Sequence, residues 1–186
     1  AFEEHRTSDL VAAKLESWGY AVHRGLGGTG VVGTLKRGQS NRSLGIRADM
    51  DALPIQEATG VAWASSKPGL MHACGHDIHM TVWVGAARRL IAEKEKWKGT
   101  LIMIAQPAEE IGLGAQAMLA DGLYSKFPQP DYNIALHVSA GAPVGTVLRA
   151  TAAPVSVGRR LQVWQTRIET EAGKLVALTT QSQMNL

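Results

Sequence analysis

Leu101-Ile102-Met103-Ile104-Ala105 is a run of five consecutive apolar residues, and nothing else in the chain constrains the fold as much. Its shortness and lack of alternation predict a strand covered on both faces, the kind found at the centre of a sheet with helices on either side. Residues 133–138 predict a second buried strand, and 30–36 a third. Leu44, Ile46 and Ala48 alternate with other residues, which predicts a fourth. Helical patterns separate these strands. Thr7 or Ser8 is placed to cap a helix with apolar positions Leu10, Val11, Leu15 and Trp18, and Gly19 lies just past its end. A glycine-rich bend follows at 25–30 and a turn at 37–41. After an irregular stretch at 54–69, a long helix is predicted over 78–96. A short helix around Ala115–Leu119 is closed by Asp121-Gly122. Strands alternating with helices predict an α/β fold with a largely parallel sheet flanked by helices.

The chain has 186 residues, 45% hydrophobic and 19% charged. It is too apolar for a disordered segment. No run approaches the roughly 18 apolar residues of a membrane span, and no basic-then-apolar leader is visible, so the expected location is the cytoplasm. The net charge of +3 is uneven: Arg159, Arg160, Arg167 and Lys174 against Glu169 and Glu171 give the tail +2 and leave +1 before it. The body shows no clustered basic face, which argues against nucleic acid as a partner. The single cysteine, Cys74, excludes an internal disulfide framework.

Polar residues gather where the predicted strands end, which is where α/β sheets place their sites. Asp49 and Asp51 follow the strand at 43–48, Glu109 and Glu110 follow 101–105, and His137 sits near the end of 133–138. Cys74, His76, Asp77 and His79 lie before or at the very start of the long helix. Cys74 and His76, one glycine apart, are suitable ligands for zinc and related metals. They equally suit a buried cysteine with surface histidines. Cys74 as a nucleophile would need His137 or His79 as its base. Glu109-Glu110 after a buried strand suits metal binding combined with proton transfer, or a solvated loop. Asp49 and Asp51 share a face of an extended chain and can orient ligands or cap the next loop. His137 alone would more often be a core histidine. Together these groups fit a two-metal hydrolase.

Four segments carry a family resemblance: Arg47-Ala48-Asp49-Met50-Asp51-Ala52-Leu53-Pro54, residues 71–79 (Met-His-Ala-Cys-Gly-His-Asp-Ile-His), Gln106-Pro107-Ala108-Glu109-Glu110 and Ala135-Leu136-His137-Val138. In order and spacing they resemble the metal-dependent amidohydrolases that include hippurate hydrolases, N-acyl-amino-acid deacylases and auxin-conjugate hydrolases. The resemblance covers residues 1–157 and implies part of a zinc-exopeptidase-like catalytic domain. It implies that Cys74, His76, Glu110 and His137 hold two divalent ions, manganese or zinc, with Glu109 as general base and Asp51 behind the ligands. The implied substrate is a small N-acyl amino acid, split at its amide bond into a carboxylic acid and an amino acid. Full-length relatives are implied to be homo-oligomers, with no membrane or nucleic-acid partner. Such relatives are about twice as long, begin further upstream and carry a lid domain and a later Gly-Gly-His motif. Residues 158–186 match none of this and are expected to be a tail of different origin, a shifted reading frame. A truncated fragment without turnover is the alternative expectation.

Overall fold

The structure, a computed structural model, describes residues 1–138, 147–157 and 161–184, with side chains in the last stretch described for 165–176. Arg159 and Arg160 of the basic tail lie outside the described residues. The chain divides into two compact units, Ala1–Val138 and Ser139–Leu186.

The first unit is a five-stranded sheet with helices on both faces. Its strands are β1 (Ala21–Leu26), β2 (Gly30–Arg37), β3 (Ser43–Asp49), β4 (Gly99–Gln106) and β5 (Tyr132–Ala135), in spatial order β1-β2-β4-β3-β5. β3 runs parallel to both β4 and β5, while β1 pairs antiparallel with β2 and β2 with β4. The parallel half is the one expected. The hairpin β1–β2 adds an antiparallel wing, and β1 was not legible in its mixed sequence.

Alternation along β4 explains why its run is continuous. Leu101, Met103 and Ala105 face one side, where they join Val31 and residues of α1 (His5–Ser17) and α2 (His76–Ala92), including Val11, Leu15, Met80, Trp83 and Ala87. Ile102 and Ile104 face the other side with Leu26 and Val32. There Met118 of α3 (Gly114–Ala120) and Leu123 of α4 (Leu123–Lys126) cover them. Burying a side chain of this size stabilises by roughly 1.5–3 kcal/mol, so a strand with two covered faces anchors the unit. Trp83 is 2% exposed, and its indole N–H donates to the Ile46 carbonyl at 2.9 Å, tying α2 to β3.

Three expectations are corrected. The first helix begins at His5 rather than after a cap at Thr7 or Ser8, and the Ser8 N–H already donates to the Glu4 carbonyl. The long helix starts at His76 and ends at Ala92, with a 3₁₀ turn over Lys94–Lys96, so His76 and Asp77 lie inside its first turn with His79 rather than before it. β5 is shorter than 133–138 and exposed throughout, because it occupies the sheet edge among the described residues.

The second unit is an antiparallel meander of β6 (Leu148–Val157), β7 (Leu161–Thr170) and β8 (Leu175–Met184). The division expected at residue 157 falls at the end of β6, between two strands that pair with each other.

Candidate metal centre

Three parallel-sheet strand ends and one helix start converge at the carboxyl edge of the sheet, and each delivers a different donor. The route from β3 brings Asp49 and Asp51, the turn after β4 brings Glu109 and Glu110, and the segment after β5 brings His137. The loop before α2 brings Cys74, and the first turn of α2 brings His76 and His79. Gly75 makes the last two possible. Its φ of 78° is left-handed backbone, and a Cβ there would meet Val138 Cγ2 at 2.4 Å.

His76 is the hub. Its Nδ1–H donates to the Asp51 carbonyl at 2.9 Å, which leaves the Nε2 lone pair uncommitted in the neutral ring. That nitrogen lies 3.7 Å from Glu109 Oε2 and 3.8 Å from Glu110 Oε1. Both glutamates therefore converge on it instead of splaying apart. Cys74, His76 and Glu110 offer donor atoms within 4.8 Å of one another. Cys74 Sγ is 3.3 Å from His137 Nε2, and the His137 Nδ1–H donates to the Val138 carbonyl at 2.6 Å, so its Nε2 is also presented inward. The structure thus brings Cys74, His76, Glu110, His137 and Glu109 together. Asp51 sits directly behind them, its Oδ2 accepting the Glu110 N–H at 3.0 Å.

A second group, Asp49, His76, His79 and His137, also places one donor atom each within 4.8 Å. Its chemistry is different. His79 Nδ1–H donates to Asp49 Oδ1 at 2.5 Å, and His79 Nε2 accepts the Val138 N–H at 2.8 Å. Both ring nitrogens are spent. Asp49 is spent too, since its Oδ2 faces Arg47 Nη1 at 2.7 Å. This line of contacts fixes the segment carrying His137, and it was not legible from spacing alone.

The unsatisfied atoms point to what the first group suits. His76 Nε2 and Glu110 Oε1 are buried and lack hydrogen-bond partners. Lone pairs facing one another in a buried site are costly unless a cation lies between them. Nitrogen, thiol sulfur and carboxylate oxygen together suit zinc or a related divalent metal. Burial, then the carboxylates of Glu110, Glu109 and Asp49, pushes the Cys74 thiol up to about 11. A nucleophilic cysteine needs the opposite surroundings.

Asp49 carries a measurable consequence. Burial raises its pKa, but the His79 hydrogen bond and the Arg47 guanidinium outweigh burial and hold it below the ordinary carboxylate value. A carboxyl depressed on folding stabilises the fold above its unfolded pKa, and this contribution is lost as pH falls through the folded value. The urea midpoint is therefore expected to fall from about pH 4 downward, near the unfolded Asp value, and Asp49→Asn should flatten that dependence. An unchanged slope in Asp49→Asn would refute the assignment.

Residues 45–182 match peptidase family M20/M25/M40, a span that continues into the second unit. The hippurate hydrolase of Campylobacter jejuni is 48% identical over 136 residues, 73% of this chain and 35% of that protein. IAA-amino acid hydrolase ILR1-like 6 of Arabidopsis thaliana is 42% identical over 147 residues, 79% of this chain and 31% of that protein. The chain thus spans about a third of the length of these curated relatives. The crystal structure of the Bacillus subtilis YXEP protein, described as a dinuclear metal binding peptidase from the M20 family, superposes with a TM-score of 0.72 at 33% identity. It covers 89% of this chain and 45% of that one. Among the described residues, no helix is long and apolar enough to cross a membrane. With four motifs, a shared fold and a match over most of its length, the chain belongs to peptidase family M20/M25/M40.

Proposed function

We propose that this chain carries catalytic residues of a metal-dependent amidohydrolase. Its substrate is an N-acyl amino acid of the hippurate type, cleaved to a carboxylic acid and a free amino acid. The observation that carries this reading is the buried, unpartnered Nε2 of His76 facing the unpartnered Oε1 of Glu110, beside Cys74 and His137. In this reading Cys74, His76, Glu110 and His137 hold two divalent ions, manganese or zinc. The ions, when bound, supply Lewis-acid polarisation of the scissile carbonyl. The names of the hippurate and IAA-amino acid hydrolase relatives support the substrate class.

Each protein group then has a defined task. Glu109 is about a third exposed, so it reaches water while staying within 3.7 Å of His76. It takes the proton from the attacking water and returns it to the leaving amine, so the amide C–N bond breaks and the proton count balances. Asp51 orients two groups: its carbonyl holds the His76 ring and its carboxylate holds the Glu110 backbone. Such partners behind metal ligands are typically worth roughly 10–100-fold in affinity.

The test uses the purified chain loaded with manganese or zinc and given N-benzoylglycine. Hydrolysis is expected to disappear with a chelator and return on adding metal. Cys74→Ser should weaken zinc binding at least tenfold, because a hydroxyl replaces a thiolate poorly. Failure of the chain to take up either ion would overturn the reading. Chelator-insensitive turnover that vanishes in Cys74→Ser would favour a cysteine nucleophile instead. Ion uptake without hydrolysis would assign the chain metal binding alone.

A further inference from the structure

Glu4 is a carboxylate only 8% exposed, immediately before α1, and it makes no ion pair among the described residues. Three hydrogen-bond donors surround it. Its Oε1 accepts the Phe2 N–H at 2.8 Å and the Ala108 N–H at 3.2 Å, and its Oε2 accepts the Thr29 hydroxyl. A buried carboxylate is tolerated when donors satisfy it in this way.

The Ala108 bond matters because of where it falls. Ala108 is fully buried with φ of 47°, a left-handed conformation that alanine adopts only where its surroundings impose it. Its carbonyl accepts the Gly114 N–H at 3.1 Å, and the next carbonyl, of Glu109, accepts the Gly112 N–H at 2.8 Å. Glu4 supplies the remaining restraint, on the N–H side. The following residue is Glu109, whose direction is set by the backbone angles of Ala108. Glu110 has a separate anchor, its own N–H on Asp51 Oδ2. The loop carrying the two adjacent glutamates is thus anchored at two amides, Ala108 and Glu110, by different carboxylates.

We propose that Glu4 is a positioning residue that aims Glu109 through the Ala108 amide, an inference that rests on Glu109 being the general base. The donor pattern makes the inference selective. In Glu4→Gln the amide oxygen can keep both N–H bonds on the Oε1 side, while its NH₂ donates to the Thr29 oxygen. In Glu4→Asp the shorter side chain cannot reach all three donors. In Glu4→Ala the donors lose their acceptor altogether.

Four quantities are measured on the full chain: hydrogen exchange at the Ala108 amide, zinc affinity, and kcat and KM for N-benzoylglycine with metal loaded. Glu4→Ala is expected to speed exchange at Ala108 at least tenfold and to lower kcat at least thirtyfold. Zinc affinity and KM should stay within threefold, because Glu110 keeps its anchor. Glu4→Gln should restore all four to within threefold of the unsubstituted chain. A general structural defect would instead weaken zinc binding together with exchange protection. If Glu4→Ala does not fold, Glu4→Asp should give the same pattern at smaller amplitude. Unchanged Ala108 exchange in Glu4→Ala or Glu4→Asp, or a Glu4→Gln variant as impaired as Glu4→Ala, would overturn the proposal. Absence of turnover in the metal-loaded chain would instead count against the amidohydrolase reading, and Ala108 exchange beside zinc affinity would still decide whether Glu4 anchors the loop.

Discussion

Replacing Glu109 with glutamine is expected to lower kcat by roughly a hundred- to ten-thousandfold, the range a positioned general base contributes, while the metal content of the protein stays the same. The geometry separates the two glutamates on this point. Glu110 Oε1 is buried and unpartnered beside His76 and Cys74, as a ligand would be. Glu109 is the more exposed of the pair, with side-chain exposure of 35% against 20%, so it can meet solvent and substrate. Glutamine keeps the size and hydrogen-bonding oxygen of Glu109 but cannot take up a proton. Glu110→Gln should instead cost metal affinity first and activity as a consequence. Metal analysis beside steady-state kinetics on both variants checks the division. Equal loss of metal from the two would mean that both carboxylates are ligands and that the base lies elsewhere.

How much of this the sequence carries differs from element to element, for physical reasons. The α/β layer was legible because β4 is covered on both faces, and a doubly covered strand must be continuously apolar. β1, Ala-Val-His-Arg-Gly-Leu, was not legible, because a wing strand mostly open to solvent obeys no such rule. β5 misled in the other direction. Ile134, Leu136 and Val138 look like core residues yet are 46%, 67% and 39% exposed. An apolar pattern records that a strand suits cover and does not say what provides it. The helix start misled because capping preference is local, whereas Glu4 spends its side chain on Thr29 and on Ala108, 104 residues away. The donor types at the site were legible only in combination, since thiol, imidazole and paired carboxylates each have an ordinary use alone and point to a metal when they gather at one rim. Their division of labour was not. Whether a histidine offers a lone pair is decided by what its other nitrogen bonds, and here Asp51 and Asp49 make that decision from β3 and just beyond it.

That division gives the other large expected effect, a contrast between two histidines three residues apart on one helix. His76→Ala should abolish the stabilisation that zinc confers, because His76 belongs to both groups of candidate donors and holds a buried, unpartnered ring nitrogen facing Glu109 and Glu110. A ligand at 100 times its Kd stabilises a protein by about 2.7 kcal/mol, and for a chain of this size each kcal/mol is worth roughly 2–4 °C. The unsubstituted chain should therefore melt about 5–11 °C higher with zinc than with chelator, and His76→Ala should show no such difference. His79→Ala should behave in reverse. It strips a buried partner from Asp49 and from the Val138 N–H, so the metal-free protein should lose about 2–4 kcal/mol, the cost of leaving such groups unpaired together with a small cavity. The zinc-dependent rise should survive, reduced in so far as His137 is less well held. Melting curves of the three proteins, each with zinc and with chelator, decide the matter. Loss of the zinc effect in His79→Ala with retention in His76→Ala would move the metal to the Asp49 side of the site and reassign His79 as a ligand.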